Sequence, residues 1–469
     1  MRLSLADLAG RRVTVMGLGT RQGGAGVAAF LARHGALVTV TDRRPADQLG
    51  PGLAMLDGLP VRYVLGEHRT EDFTGADLIV KNPAVPWSSP YLQAAAAAGV
   101  PVEMEMSLFL GLCPAPVIGV TGTKGKTTTA TLCAAMLAAG RPETVLAGNM
   151  GVSALAALDR ITPTTPVVLE ISSFQLEATG RLGLSPHIAV ITNVTPDHLD
   201  RYADFAEYAA TKFEIARHQR PQDYLVLNAA DPVSARFAAA APGRVIWAGR
   251  QPGAEWRDGR LYWQADPLPV LAASDIQLPG EHGRIDVALA AAAALLADAT
   301  ADEVKVAVRG FTGVPHRYER VAVVDGVTYI NDTAATAPAA ALRALETTPP
   351  PLVWIGGGHD KGLDLTPVAQ LAAARAAACV LLAGSATAAV AGALAAAGAA
   401  RIVGPLDSMA EAVAAAAALA TPGGTVLLAP GTASFGLFRD EFDRGEQFRA
   451  AVAALARAGE RPGRAAPAP

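Results

Sequence analysis

A glycine-rich turn at residues 119–129 carries the residue types that bind phosphate groups. It follows a short apolar run and opens onto a helix-like segment, so backbone N–H groups and a helix N-terminus would point at phosphate oxygens. Lys126 would reach the β- and γ-phosphates of a nucleoside triphosphate, and the hydroxyl of Thr127 would bind a metal ion. The spacing departs from the strict phosphate-loop pattern, because Val120 stands where the first glycine is expected. The turn still predicts a nucleoside triphosphate site.

Polar side chains follow two apolar runs farther along the chain. Glu170 ends one run, and His198 follows the next, beside Asp197 and Arg201. Open α/β sheets bind ligands at the carboxyl ends of their parallel strands. Because Mg²⁺ takes few protein ligands besides phosphate oxygens and water, Glu170 and His198 are candidate metal ligands beside Thr127. A histidine alone is more often a helix cap or a core residue, but its charged neighbours favour the metal site.

The N-terminal part of the chain predicts another nucleotide-binding unit. Residues 12–16, a glycine cluster, a helix-like segment and residues 36–41 outline a βαβ unit that ends at Asp42. Its glycine spacing does not fit the dinucleotide fingerprint, so an NAD-dependent dehydrogenase is the weaker interpretation. A proline-containing loop at residues 81–86 follows the apolar run 78–80. Because proline cannot continue a helix or a sheet ladder, this loop would line a ligand crevice.

The fold class expected from these patterns is α/β with mostly parallel sheets, because apolar runs alternate with alanine-rich helical segments. The length predicts about three domains. We expect a Rossmann-like domain at residues 1–112, a central ATPase-type domain at 113–314 and a Rossmann-like domain at 315–469. Residues 459–469 are rich in proline, alanine and arginine and are expected to be disordered.

Composition excludes several classes of protein. A net charge of −4 predicts neither nucleic-acid binding nor attachment to an anionic membrane surface. The three widely spaced cysteines predict neither a disulfide framework nor a zinc site. No apolar run approaches the roughly 20 residues that span a bilayer, and residues 1–10 do not form a signal peptide. We expect a cytoplasmic monomer with no membrane insertion.

Together and in this order, the motifs resemble those of the Mur ligases, the ATP-dependent enzymes that build the peptide stem of peptidoglycan. The resemblance covers residues 13–448 and is greatest for the members that add glutamate. The motifs that carry it are Gly122-Thr123-Lys124-Gly125-Lys126-Thr127, Gly148-Asn149-Met150-Gly151, Glu170-Ile171-Ser172-Ser173-Phe174-Gln175-Leu176-Glu177, Asn193-Val194-x-x-Asp197-His198-Leu199-Asp200-Arg201-Tyr202, Pro315-His316-Arg317, Asn331-Asp332 and the segment from Ser434-Phe435 to Arg444-Gly445.

The resemblance implies that ATP phosphorylates the carboxylate of UDP-N-acetylmuramoyl-L-alanine and that the amine of glutamate attacks the acyl phosphate. It implies catalytic roles for Lys126, His198 and Lys212, with Lys212 carbamylated. Two Mg²⁺ ions would be held by Thr127, Glu170, His198 and Lys212. The implied ATP-binding residues are Gly122, Thr123, Lys124, Gly125, Lys126, Thr127, Thr128, Arg317 and Asp332.

The resemblance also implies the binding sites of the other two substrates. The implied sugar-nucleotide residues are Leu18, Thr20, Asp42, Arg43, Asn149, Ser173 and Gln175. The implied glutamate residues are Thr336, Lys361 and Ser434, and Lys361 offers the point charge that a dicarboxylate requires. Domain closure over the phosphate loop would exclude water from the acyl phosphate.

The sequence departs from the family pattern at four positions. Gly283 and Asp286 replace two asparagines, Ala334 replaces a lysine, and Glu441 stands where an aromatic residue is common. Four alternatives stay open: L-glutamate as the added amino acid, a Mur ligase for another amino acid, a folylpolyglutamate synthase, and a non-catalytic UDP-sugar-binding relative. A folylpolyglutamate synthase would lack the N-terminal Rossmann-like domain.

Overall fold

The protein is described from a computed structural model. The structure describes residues 4–19, 22–149, 153–198, 201–278 and 280–459. Of the residues named above, Thr20, Met150, Gly151, Leu199, Asp200 and the tail residues 460–469 lie outside this part of the chain. The chain divides into two compact units, Met1–Phe311 and Thr312–Pro469.

The first sheet of unit 1 is parallel and has the order β3-β2-β1-β4-β5. Its central strand forms from a β-branched run that is buried on both faces, as parallel sheets require. The strands are β1 Arg12–Met16, β2 Leu37–Asp42, β3 Val61–Leu65, β4 Leu78–Lys81 and β5 Val102–Glu103. The helices are α1 Gln22–Arg33, α2 Gly50–Ala54, α3 Thr70–Thr74, α4 Pro90–Ala97 and α5 Glu105–Leu112.

The second sheet of unit 1 has nine strands in the order β14-β13-β12-β11-β10-β9-β6-β8-β7. The strands are β6 Val117–Thr121, β7 Val145–Gly148, β8 Val167–Glu170, β9 Ile188–Ile191, β10 Tyr224–Asn228, β11 Arg244–Ala248, β12 Gly253–Arg257, β13 Arg260–Trp263 and β14 Pro269–Ala272. Strands β6 to β12 pair in parallel, whereas β12, β13 and β14 pair antiparallel. Asp258 and Gly259 join β12 to β13 with positive φ angles of 47° and 71°.

Six helices cover this sheet. They are α6 Lys126–Ala138, α7 Ser173–Arg181, α8 Phe205–Arg217, α9 Pro232–Arg236, α10 Gly280–Leu296 and α11 Ala301–Gly310. Four of them, α7, α8, α9 and α11, are capped by side chains that precede them. Ser172 accepts a hydrogen bond from the backbone N–H of Gln175, and Asp204 accepts one from that of Glu207. Buried alanines let α10 pack closely against the phosphate-loop helix α6.

Unit 2 contains a six-stranded sheet with the order β15-β16-β20-β17-β18-β19. Its strands are β15 Glu319–Val324, β16 Val327–Asn331, β17 Leu352–Gly357, β18 Ala378–Leu382, β19 Ile402–Leu406 and β20 Thr425–Leu428. Its helices are α12 Pro338–Thr347, α13 Thr366–Arg375, α14 Thr387–Ala396, α15 Met409–Leu419 and α16 Glu441–Gly459. Among the described strands of this sheet, the pair β15–β16 alone is antiparallel, because a two-residue turn joins the two strands directly.

The α/β class expected from the sequence is confirmed by these three sheets and their covering helices. Short 3₁₀ segments connect several elements: Leu5–Leu8, Ala46–Gln48, Ala154–Arg160, Phe237–Ala240 and Ala273–Asp275. Within the described residues, every helix is too short or too polar to cross a membrane.

Candidate active site

The phosphate loop joins β6 to α6 within unit 1. Gly125 precedes the helix with a φ of 80°, a conformation that favours glycine. The Thr123 hydroxyl donates to the carbonyl of Thr195 at 3.1 Å, so the loop rests on the segment that follows β9. Thr127 and Thr128 are half-buried in the first turn of α6, which has no acidic residue. This end of α6 is therefore suited to an anion.

Two lysine side chains converge on one carbonyl of this loop. The Nζ atoms of Lys126 and Lys212 each lie 2.9 Å from the carbonyl oxygen of Gly122. Lys212 is 1% exposed on α8, and its Nζ lies 4.6 Å from the ring centroid of Tyr208. Burial, followed by the nearby Lys126 ammonium, lowers the pKa of Lys212 to about 7. Lys212 is therefore partly a neutral amine near neutral pH, which is the form that reacts with CO₂.

Glu170 ends β8 beside the phosphate-loop strand and is 1% exposed. Its Oε1 accepts a hydrogen bond from Asn149 at 3.0 Å, whereas its Oε2 has no hydrogen-bond partner among the described residues. A buried carboxylate oxygen without a partner is energetically costly. Because carboxylate and hydroxyl oxygens are ligands that Mg²⁺ prefers, Glu170 and Thr127 fit a magnesium site.

His198 lies on the segment after β9 and is exposed. Its φ of 54° is uncommon for a residue other than glycine. The centroid of its ring lies 5.0 Å from the ring centroid of Phe174 and 6.2 Å from that of Tyr208. In the part of the chain that the structure describes, no three His, Cys, Asp or Glu side chains group to hold a metal. A Mg²⁺ site built here would therefore depend on phosphate oxygens, water and few protein ligands.

A cavity of about 730 Å³, which we call the N-terminal cavity, lies in unit 1. Four residues predicted to bind the sugar nucleotide line it: Asp42, Arg43, Asn149 and Gln175. Leu18 and Ser173 are not among its described lining residues, since Leu18 is fully buried and Ser173 is 3% exposed at the start of α7. Asp42 accepts hydrogen bonds from the backbone N–H groups of Gly19 and Arg44.

The lining residues of the N-terminal cavity that sequence reasoning missed include His68, Tyr91 and Glu105. Asn82 also lines it and belongs to the loop at residues 81–86, which the sequence predicted to line a ligand crevice. His68 and Tyr91 form an aromatic wall, with ring centroids 5.1 Å apart. Glu105 accepts a hydrogen bond from the Ser153 hydroxyl at 2.6 Å, and burial raises the pKa of Glu105.

Asp286, one of the four departures from the family pattern, faces the phosphate loop. Its Oδ1 accepts a hydrogen bond from the Thr129 hydroxyl at 3.3 Å. A Cβ atom at Gly125 would lie 2.5 Å from the same oxygen. Burial raises the pKa of Asp286 to about 7. An ionisable carboxyl group therefore lies beside the anion-binding end of α6.

In unit 2, the predicted residues follow the ends of β16, β17 and β20, except for Arg317, which precedes β15. Burial raises the pKa of Asp332 to about 6, and its Oδ1 accepts a hydrogen bond from the backbone N–H of Tyr318 at 3.0 Å. Arg317 is exposed. Lys361 donates to the carbonyl of Thr336 at 2.9 Å, so two of the three predicted glutamate residues are neighbours. The third, Ser434, is 3% exposed in the segment after β20.

Arg444 on α16 connects these strand ends and is fully buried. Its Nε donates to the Thr333 hydroxyl at 2.9 Å, and another guanidinium nitrogen donates to the Thr333 carbonyl at 3.0 Å. A longer contact of 3.4 Å reaches the carbonyl of Thr432. Burial lowers the pKa of Arg444 to about 10. Through these contacts Arg444 places the segments that carry Asp332 and Ser434.

Three protein-family models match successive parts of the chain. They are the Mur ligase MurD-like N-terminal domain at residues 11–103, the Mur ligase middle domain at 120–295 and the Mur ligase glutamate ligase domain at 316–432. Each of the three sheets lies largely within one of these matches.

Curated relatives give the same family, and a solved structure shares the fold. A UDP-N-acetylmuramoylalanine–D-glutamate ligase from Roseiflexus sp. is 49% identical, covering 95% of this chain and 99% of the relative. The ligase of the same name from Symbiobacterium thermophilum is 42% identical, covering 95% and 98%. The structure of UDP-N-acetylmuramate-alanine ligase from Thermotoga maritima is 20% identical with a TM-score of 0.54, covering 95% of this chain and 99% of that one. That structural likeness concerns the fold alone.

The family models cover most of the chain and the curated relatives match it nearly end to end. In unit 1, Lys212 contacts the phosphate loop and Glu170 ends the strand beside the one that precedes this loop. The chain belongs to the Mur ligase family.

Proposed function

We propose that this enzyme is an ATP-dependent ligase that joins D-glutamate to UDP-N-acetylmuramoyl-L-alanine in the cytoplasmic synthesis of peptidoglycan precursors. The observation that carries the proposal is the 49% identity, over 95% of the chain, to a relative named for this reaction. The reaction forms an amide bond at the cost of the terminal phosphate bond of ATP. The substrate carboxylate attacks the γ-phosphorus and ADP leaves; the amine of glutamate then attacks the acyl carbon and phosphate leaves.

The phosphate loop binds the triphosphate and aligns the γ-phosphoryl group. Phosphoryl transfer depends mainly on positioning and on neutralisation of charge. Lys126 and the backbone N–H groups at the start of α6 supply positive charge. The buried Oε2 of Glu170, which has no hydrogen-bond partner in the described part of the chain, supports Glu170 and Thr127 as the residues that hold one Mg²⁺. Magnesium, when bound, neutralises and orients phosphate oxygens.

Lys212 is proposed to be carbamylated and to hold a second Mg²⁺ together with His198. A buried amine whose pKa is about 7 supports this, since the neutral amine is the nucleophile towards CO₂. The carbamate would turn one of the two cations at the Gly122 carbonyl into an anion. It would also provide oxygen atoms suited to Mg²⁺.

The N-terminal cavity is proposed to bind the sugar nucleotide, through Asp42, Arg43, Asn149 and Gln175. Leu18, Thr20 and Ser173 stay in the proposal as residues implied by the family. The remaining proposed residues are Lys124, Thr128, Arg317 and Asp332 for ATP, and Thr336, Lys361 and Ser434 for glutamate. The proposed domains are residues 1–112, 113–314 and 315–469, and the proposed oligomeric state is a monomer.

One assay tests the reaction and its stereochemistry. The purified chain is supplied with Mg²⁺, ATP and UDP-N-acetylmuramoyl-L-alanine, and phosphate release is measured with D-glutamate or L-glutamate. Release with D-glutamate, accompanied by the dipeptide product, is expected. Release with L-glutamate alone would overturn the stereochemistry. Binding of the sugar nucleotide without release for either amino acid would instead identify a non-catalytic relative.

A further inference from the structure

The loop at residues 82–90 presents two faces to two different cavities. Every residue of this loop lines the N-terminal cavity except Trp87. Trp87 instead lines a second cavity of about 820 Å³, together with Glu177, Arg181 and Arg201. Trp87 therefore anchors, on the side of the second cavity, the loop that borders the proposed sugar-nucleotide site.

Trp87 is fixed by one hydrogen bond and two cations. Its Nε1 donates to Glu177 Oε2 at 2.9 Å. The Nζ of Lys81 lies 4.5 Å from the ring centroid, and the Cζ of Arg181 lies 4.4 Å from it. Lys81 is 1% exposed and also donates to the carbonyl of Val85 at 3.0 Å. It therefore anchors the loop at Val85 and at Trp87.

Glu177 connects this loop to the segment that carries His198. Its carboxylate accepts two hydrogen bonds from Arg201, at 3.3 and 3.1 Å, and one from the Tyr202 hydroxyl at 3.1 Å. The backbone N–H groups of Arg201 and Tyr202 both donate to the carbonyl of His198. One carboxylate therefore links the tryptophan of the loop to the turn that bears a proposed metal ligand.

A second contact leads from Arg201 back to the His198 ring. The Cζ of Arg201 lies 4.1 Å from the ring centroid of Phe174. The Phe174 ring in turn lies 5.0 Å from that of His198. The orientation of Arg201 thus affects His198 through the backbone turn and through Phe174.

We propose that Glu177 is a positioning residue that couples the loop at residues 82–90 to His198, so that the sugar nucleotide and the metal–nucleotide complex bind cooperatively. The proposal rests on the proposed function, because it takes the N-terminal cavity as the sugar-nucleotide site and His198 as a metal ligand. In this proposal Glu177 contacts neither the sugar nucleotide nor the metal–nucleotide complex. A sugar nucleotide that orders the loop strengthens the Trp87–Glu177 bond, and Glu177 then holds Arg201 and the His198 turn in place.

Calorimetry measures this coupling without turnover. The dissociation constant of a non-hydrolysable ATP analogue with Mg²⁺ is measured with and without UDP-N-acetylmuramoyl-L-alanine. In the parent protein we expect the sugar nucleotide to tighten binding by roughly 5- to 100-fold, the usual range for coupled sites. In Glu177→Gln and in Trp87→Phe, the ratio of the dissociation constants without and with the sugar nucleotide should fall close to one. In the double variant it should fall no further, because both changes interrupt the same connection.

Glu214→Gln is the matched control, since Glu214 lines the same second cavity but pairs with Arg217. It should keep the factor of the parent, and thermal unfolding should show that all variants are folded. A parent without coupling, an unchanged factor in Glu177→Gln, or independent losses that multiply in the double variant would each overturn the proposal. If Glu177→Gln fails to fold, Trp87→Phe alone decides. Parent turnover is measured separately, so loss of the proposed function is distinguishable from loss of coupling.

Discussion

The two lysines that share the Gly122 carbonyl differ in their surroundings. Lys126 is half-buried at the start of α6, whereas Lys212 is enclosed on α8 beneath the loop. A cation buried next to another cation favours its neutral form, because desolvation and repulsion act in the same direction. Burial and the neighbouring Lys126 together lower the pKa of Lys212, which is the condition that its proposed carbamylation requires.

Replacing Lys212 with alanine should lower turnover by about 100-fold, because the variant loses a side chain proposed to hold Mg²⁺. Short carboxylates such as acetate should restore part of the rate, since they can enter the space left by the carbamate. Lys305→Ala on α11 is the control and should keep the parent rate. Normal turnover in Lys212→Ala, or no response to carboxylates, would show that Lys212 is not carbamylated. Steady-state phosphate release measures both effects.

Asp286 should make ATP binding depend on pH. Its pKa of about 7 means that the carboxyl group is neutral below this pH and negative above it. The KM for ATP should therefore rise by about tenfold from pH 6 to pH 8, which corresponds to roughly 1.4 kcal/mol of repulsion. Asp286→Asn should remove this rise, and Asp302→Asn should keep it. An equal rise in Asp286→Asn would contradict the assignment.

Among single residues, the sequence predicted those whose chemistry is indicated by their immediate neighbours along the chain. Lys126 and Glu170 stand in a glycine-rich turn and at a strand end, so their positions could be predicted. Lys212 lies on an ordinary helix and was found only through the family resemblance. Trp87 and Glu177 were missed because they are 90 residues apart, and their hydrogen bond depends on how the two sheets of unit 1 pack.

Substitutions at two glycines with similar φ angles should distinguish backbone strain from loss of ATP binding. Gly125 and Gly259 have φ of 80° and 71°, a region that costs a residue with a Cβ about 1–2 kcal/mol. At Gly125 the Cβ would also meet the carboxylate of Asp286, whereas nothing lies within 4 Å at Gly259. Gly125→Ala should abolish ATP binding, and Gly259→Ala should lower the free energy of unfolding only. Calorimetric titration and thermal unfolding measure the two effects. Unchanged ATP affinity in Gly125→Ala would contradict this role.

Strands that are buried on both faces were the predictable elements. β1, β4 and β8 form from largely apolar runs, and each was located from the sequence. β3 and β19 were missed. Both are sheet edges and neither is a fully buried run: Arg62 and Tyr63 are exposed in β3, and Gly404 and Pro405 interrupt β19.

Substitutions in the two units should affect different substrates. Arg43 lines the N-terminal cavity in unit 1, and Lys361 lies beside Thr336 in unit 2. Arg43→Met should raise the KM for the sugar nucleotide about tenfold, and Lys361→Met should do the same for glutamate, since each loses a charge-assisted hydrogen bond of roughly 1.5–3 kcal/mol. Each variant serves as the control for the other in steady-state kinetics. Equal changes in both KM values would contradict this division.

The α/β class and the alternation of strands and helices were predictable for the whole molecule, because they follow from periodicity. The order of strands in each sheet was not. β20 lies between β16 and β17 although about 70 residues separate it from β17 along the chain. Such an arrangement depends on packing between distant segments, for which one sequence contains no local signal.

The central place of β20 has a consequence for synthesis on the ribosome. Unit 1 is complete when residue 311 has emerged, and it can fold while translation continues. The sheet of unit 2 must wait for β20, and the segments around Asp332 must wait for Arg444 on the last helix. Until then β16 and β17 present unpaired edges to other nascent chains. The sheet of unit 2 is therefore completed only in the last stretch of translation.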